Sequence, residues 1–141
     1  MAELFELLQQ GGYSLAVRNK GEVKTFGGRG VSDLYRIYSE TPGLLHGAEV
    51  ADKVVGKAAA ALMVLGGVRK LSTGTISRPA LDLLKDYPME VSFRQEVPHI
   101  INRTKTGLCP MESRCKDLQT PQECLQAVAD FILSQTTKPQ S

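Results

Sequence analysis

Residues 51–65 read ADKVVGKAAAALMVL. The stretch opens with Asp52-Lys53, carries Lys57 four residues after Lys53, and then runs apolar until Gly66-Gly67 stops it. A helix over this whole stretch has no polar stripe, so it must be covered on more than one side. Its charged residues then stand at the helix N-terminus, where backbone N–H groups and the helix dipole favour a bound anion. The stretch therefore predicts an α/β protein with a buried central helix and a ligand site at the start of that helix.

The rest of the chain fits that frame. Its 141 residues suggest one domain, over 1–135, followed by a polar tail at 136–141 expected to be disordered. A hydrophobic content of 42% is enough for a core. The net charge of +2 is small and both signs are interspersed, which argues against nucleic acid as a partner. No run approaches the ~18 apolar residues of a membrane span. The N-terminal MAELFELLQQGG is acidic and amphipathic, unlike a signal peptide. Three cysteines, Cys109, Cys115 and Cys124, are an odd number and suggest reduced thiols in a cytoplasmic setting.

Residues 3–9 read as a short helix ended by Gly11-Gly12. Residues 13–18 and 22–26 read as a hairpin about Asn19-Lys20-Gly21. Gly27-Gly28-Arg29-Gly30 has no Gly-Lys-Ser/Thr ending, so it reads as a loop more than a phosphate cradle. An amphipathic helix is predicted over 31–39, broken by Thr41-Pro42-Gly43. After the buried helix come a strand from Val68 towards Ile76, a helix opened by Pro79 with Ser77 or Arg78 as cap, a strand over 89–93, and an apolar run over 97–102 that reads as a last strand. Thr120-Pro121-Gln122-Glu123 is a capping box that starts a final helix. This alternation predicts a three-layer α-β-α sandwich with a mixed sheet.

The order of hairpin, buried helix, strand and second helix resembles the cytidine deaminase-like fold. In the active enzymes of that fold the two helices carry H-x-E (or C-x-E) and P-C-x-x-C, which hold a zinc ion that activates water. The positions matched to them read Val50-Ala51-Asp52 and Pro79-Ala80-Leu81-Asp82-Leu83, so the resemblance implies the framework without its zinc ligands. The chain is also similar, from about Tyr13 to Phe131, to a small prokaryotic family known as domain of unknown function 1893. That likeness rests on ADKVVGKAAA and the following LMVLGGV, on Ile101-Asn102-Arg103, and on Gly107-Leu-Cys-Pro-Met-Glu112. It implies the deaminase-like fold and no function.

Zinc needs three or four ligands within tetrahedral reach. Val50, Ala80 and Leu83 offer none, and a site rebuilt from His46, Cys109 and Cys115 lacks a zinc-knuckle spacing, so no metal and no cofactor is expected. Asp52 reads as a base, a hydrogen-bond acceptor or a plain helix-start acid. Lys57 either snorkels to solvent or points into a pocket and holds an anion. Cys109 reads as a reactive thiol beside Lys57 or Arg103, or as a packing residue. The expected ligand-binding set is Asp52, Lys53, Lys57, Ser77, Asn102, Arg103, Cys109 and Glu112, with Asp52, Cys109 and Glu112 as catalytic candidates. The reading that follows is a zinc-free domain binding a small anionic or nucleotide-like ligand, ADP-ribose being one example. Two alternatives stand beside it: a metal-independent enzyme using Cys109 or Asp52, and a non-catalytic interaction module that forms homo-oligomers.

Overall fold

A computed structural model describes residues 3–28, 31–100, 110–115 and 117–136 of the chain. The elements are α1 (Glu3–Gly11), β1 (Leu15–Asn19), β2 (Glu22–Phe26), α2 (Ser32–Glu40), β3 (Glu49–Val55), α3 (Lys57–Gly66), β4 (Lys70–Ser77), α4 (Arg78–Leu84), β5 (Glu90–Val97), α5 (Pro110–Cys115) and α6 (Pro121–Thr136), with one turn of 3-10 helix at Pro42–Leu44. The strands form one mixed sheet in the order β2-β1-β3-β4-β5. β1 runs antiparallel to both its neighbours, while β3, β4 and β5 are parallel. The chain is an α/β domain, as its sequence predicts.

The hairpin turn has positive φ at Lys20 (52°) and Gly21 (83°). Two such residues between paired strands match the twist of the sheet. They close the register on Asn19↔Glu22. β1 alternates between the sheet faces. Leu15 and Val17 enter the large core, and Ala16 enters a smaller one with Ala51, Leu4, Phe5 and Leu8 of α1. Helix α1 therefore covers one face of the sheet. The large core on the other face holds α2, α3, α4, α5 and α6, with α3 packed against α2, α4, α5 and α6.

The boundary of the central helix is where the sequence reading needs correction. Residues 49–55 are a strand, and the helix begins at Lys57. Asp52 and Lys53 therefore lie in β3 and do not open a helix. The β-branched Val50, Val54 and Val55 favour the extended chain. β3 also sits between β1 and β4, where Val50 and Ala51 are buried on opposite faces, so it shows no polar alternation. Gly56 then turns the chain as an extended N-cap, at φ −98° and ψ −178°. From there the expectation holds: Ala58 to Met63 are all buried.

Gly67 ends α3 in the left-handed conformation, at φ 82°. Its N–H bonds to the Val64 carbonyl at 3.1 Å, and the Val68 N–H reaches back to Met63 at 3.0 Å. These bonds satisfy carbonyls that the helix end would otherwise orphan. Gly66 is needed for a different reason. A methyl group there would lie 2.7 Å from Leu45 Cδ1.

Two further differences concern the C-terminal half. The strand expected over 89–93 extends as β5 to Val97. Residues 98–100 are not strand, and 101–102 lie outside the described residues. The Cys109-to-Glu112 string, read as loop, enters helix α5 at Pro110. Proline suits a first helical position, because its missing N–H would find no acceptor there. Residues 137–141 also lie outside the described residues. Among the described residues no helix is long and apolar enough to cross a membrane.

The capping box of α6 forms as read. Thr120 Oγ1 accepts from the Glu123 N–H at 3.2 Å, and Glu123 Oε1 accepts from the Thr120 and Gln119 N–H groups at 3.0 and 2.9 Å. Thr120→Ala removes one arm of this exchange. It is expected to lower stability by about 1 kcal/mol in urea denaturation, and an unchanged midpoint would show that the box contributes nothing.

Candidate functional site

Parallel strands followed by helices bring the C-terminal ends of β3 and β4 together with the starts of α3 and α4. Open α/β sheets place ligands at this edge. Here Lys57 is the first residue of α3, and it is buried, with 9% of its surface exposed. The Gly56 N-cap supplies no side-chain acceptor for the helix start. Lys57 Nζ donates to the Leu118 carbonyl, beyond α5. Lys57 also lines a cavity of about 350 Å³ together with Pro79, Asp82, Leu83, Asp86, Tyr87, Leu118, Gln119 and Pro121. That volume lies within the range of small-molecule sites.

The cavity wall carries charges of both signs, from Lys57 on α3, Asp82 on α4 and Asp86 just beyond α4. Tyr87 is half-exposed and offers an aromatic surface. Asp82 pairs with Arg78 at 3.7 Å and with Lys85 at 3.5 Å. Pro79 and Asp82 also line a second cavity of about 490 Å³, bounded by Arg78, Glu96, Val97, Pro98 and His99. Arg78 reaches Glu96 at 3.3 Å. His99 Nδ1 is buried and has no hydrogen-bond partner among the described residues.

Asp52 occupies a different place. It pairs with Leu15 of β1 and Thr73 of β4 in the middle of the sheet. Its residue keeps some surface, but its carboxyl group is surrounded by protein. Desolvation raises its pKa to about 7, and the nearby Asp33 charge adds to the rise, while the Val54 and Lys53 N–H groups work against it. Asp33 itself is buried in the first turn of α2. It accepts the Gly28 N–H at 2.7 Å and pairs with Arg36 at 3.1 Å. A pKa near 7 suits a group that exchanges protons at neutral pH. Burial of a structural acid also produces one.

The expected ligand set is thus only partly assembled. Lys57 lines the cavity. Lys53 is exposed in β3. Ser77 is fully buried, and its hydroxyl accepts the Ala80 N–H at 3.2 Å as the cap of α4. Asn102, Arg103 and Cys109 lie outside the described residues, as does the side chain of Glu112. The residues that complete the cavity, Asp82, Asp86, Tyr87, Leu118 and Gln119, come from separate segments with no shared motif. Only the α/β rule about strand ends points to them. Among the described residues no three His, Cys, Asp or Glu side chains converge as a metal-binding group.

Two cysteines outside the expected ligand set lie on α5 and α6. Cys115 and Cys124 are both fully buried. A hydrogen bond from Cys115 lowers the Cys124 pKa, and the Lys57 charge also lowers it, while burial works the other way.

The fold and the site therefore define an α/β protein with a polar cleft at the C-terminal edge of its parallel strands. The family model for TM1506, described as a domain of unknown function (DUF1893), matches residues 3–132, so the chain belongs to that family. The crystal structure of a DUF1893 family protein from Thermotoga maritima is similar to it, with a TM-score of 0.82 at 23% identity, covering 89% of this chain and 85% of that one. No curated protein matches the chain.

Proposed function

We propose that this domain binds a small nucleotide-like ligand in the cleft at the starts of α3 and α4, on a cytidine deaminase-like framework without zinc chemistry. The observation that carries the reading is Lys57, a buried cation at the first position of a helix and on the wall of a cavity. A cation beside a helix N-terminus suits a phosphate. Asp82 and Asp86 oppose a bare anion, and this narrows the class. A nucleotide offers partners to both signs of charge, with phosphate at Lys57, hydroxyl or amino donors at the carboxylates, and a base against Tyr87. The adjoining cavity at Arg78 and His99 leaves room for a longer ligand of ADP-ribose type.

The framework reading is supported by order. After the hairpin come α2, β3 and α3, which is the deaminase sequence of helix, strand and helix. On this alignment the two helix starts read Val31-Ser32-Asp33 and Gly56-Lys57-Ala58-Ala59-Ala60. The correspondence drawn from sequence at Val50–Asp52 and Pro79–Leu83 is thus displaced by one unit, because Asp52 lies in a strand. Neither corrected start carries a His or Cys.

The test is thermal shift and calorimetry with AMP, ADP-ribose, adenosine and inorganic phosphate. AMP and ADP-ribose are expected to raise the melting temperature with concentration, more than adenosine or phosphate does. Lys57→Met keeps the aliphatic stem and is expected to weaken AMP binding ~10-fold or more. No response from any of the four compounds, or equal affinity in the variant, ends this reading. The raised Asp52 favours a second one, a metal-independent enzyme with Asp52 as base. Its mark is a nucleotide chemically altered by the wild-type protein and untouched by Asp52→Asn.

A further inference from the structure

The sheet ends in β5, and no strand among the described residues pairs with its outer side. β5 has eight residues, and Glu90, Ser92, Phe93, Arg94, Gln95 and Glu96 are all exposed. Phe93 leaves 40% of its surface in solvent. The Glu90 N–H donates to the Arg69 carbonyl at 3.0 Å, on the β4 side. Backbone groups alternate sides along a strand, so Val91, Phe93 and Gln95 aim theirs at the open edge. Natural edge strands are usually blunted by lysine, proline, a bulge or shortness. The opposite edge follows this habit, because β2 has five residues with Lys24 at its middle. β5 contains neither lysine nor proline, and its register with β4 runs from Lys70↔Glu90 to Ser77↔Val97.

We propose that β5 is the interface with a second copy of this chain, the two strands running antiparallel about a two-fold axis at Ser92 and joining the two sheets into one. The strand EVSFRQEV is self-complementary in that register. Glu90 faces Arg94 of the second copy, Arg94 faces its Glu90, and Val91 and Phe93 face each other across the axis. The two faces of the strand agree with this pairing. Arg94 stacks on Phe5 of α1 at 5.1 Å, which places Glu90, Ser92 and Arg94 on the α1 side of the sheet. Val91 packs against the large core, so Val91 and Phe93 lie on the other side. The backbone agrees as well. Val91 and Phe93 carry outward-pointing groups and become the hydrogen-bonded pairs. Glu90 and Arg94 then fall on non-hydrogen-bonded positions, where Cα atoms approach to about 4.5 Å and side chains are closer. Neither Glu90 nor Arg94 has an opposite charge within ion-pair distance among the described residues. An axis at Gln95 would match Arg94 with Glu96, but Arg78 already holds Glu96 at 3.3 Å. Pairing β5 with its own copy uses up that edge, so the assembly closes as a dimer.

The experiment is sedimentation velocity on the full chain over a concentration series. One strand from each copy makes a narrow contact, so dimer and monomer should exchange with concentration. Arg94→Glu and Glu90→Arg each set like charges opposite one another twice, and each should weaken the dimer by about tenfold or more. The double variant Glu90→Arg with Arg94→Glu restores both pairs and should recover it. Ser92→Cys gives an independent reading that needs no charge change. Two copies of that residue meet at the axis within disulfide distance, so mild oxidation should yield a covalent dimer on a non-reducing gel, absent from the wild-type chain. A monomer at every concentration overturns the proposal, as does a dimer indifferent to Arg94→Glu. Rescue of Arg94→Glu by Glu96→Arg in place of Glu90→Arg overturns the axis at Ser92. Dissociation by Lys24→Glu with β5 variants unaffected moves the contact to β2 and overturns it too.

Discussion

Asp52→Asn is expected to stabilise the protein at pH 8 and to change it little near pH 4. The Asp52 carboxyl ionises near 3.8 in the unfolded chain and near 7 in the folded one. Below pH 3.8 both states hold the proton, and the site costs nothing. Between the two values the unfolded chain releases the proton while the folded chain keeps it. Stability is thus lost as pH rises from about 4 to about 7, and the loss levels off above that. About three pKa units correspond to a ceiling of about 4 kcal/mol. Asparagine keeps an oxygen to accept the Val54 and Lys53 N–H groups and removes the buried charge. Urea midpoints of both proteins from pH 5 to 8 give the test. A difference between them that fails to grow with pH would mean that Asp52 is well solvated.

The second large effect is expected at Leu62. It is fully buried on α3, in the large core. Leu62→Ala leaves a cavity that neighbouring alanines cannot fill, and should cost about 3 kcal/mol. Val54→Ala provides the contrast. Val54 is 46% exposed in β3, so its truncation should cost under about 1 kcal/mol. If residues 51–65 were one helix covered all round, both truncations would be severe. Equal losses at the two positions would therefore contradict the strand assignment of β3. Chemical denaturation of the two variants beside the wild type decides the matter.

Much of the architecture was legible because it rests on local chemistry. Lys20-Gly21 allows the two positive φ angles of a tight hairpin turn, and the hairpin forms at its expected place. Thr120 and Glu123 are three residues apart, the spacing a reciprocal cap requires, and α6 starts there. Ser77 and Pro79 mark the start of α4 for the same kind of reason. The β3–α3 junction was not legible from periodicity. A central strand covered on both faces and a helix covered all round are each almost continuously apolar, and Lys53 and Lys57 share the spacing of a helix face. The cue lay in Val54-Val55-Gly56, where β-branched residues meet a glycine that extends the chain.

The candidate site divides along the same line. Sequence pointed to Lys57 because a lysine leading an apolar run is conspicuous. It also placed the site at the start of the buried helix, which it began at residue 51 instead of Lys57. It did not bring Asp82, Asp86 and Tyr87 to face that lysine, because they follow a separate strand and share no motif with it. Cys124 follows the capping box, where α6 forms, and is fully buried there.

What the sequence determined by itself is the set of choices made over a few residues: hairpin, caps, helix ends, the α/β class and a cation at the head of the most buried helix. Tertiary structure alone decided that residues 49–55 pair between β1 and β4, that Asp52 loses its water there, and that Lys57 meets Leu118. Local propensities act over one or two turns of chain. Desolvation and the meeting of distant side chains depend on which strands and helices become neighbours, and that is settled only when the core closes.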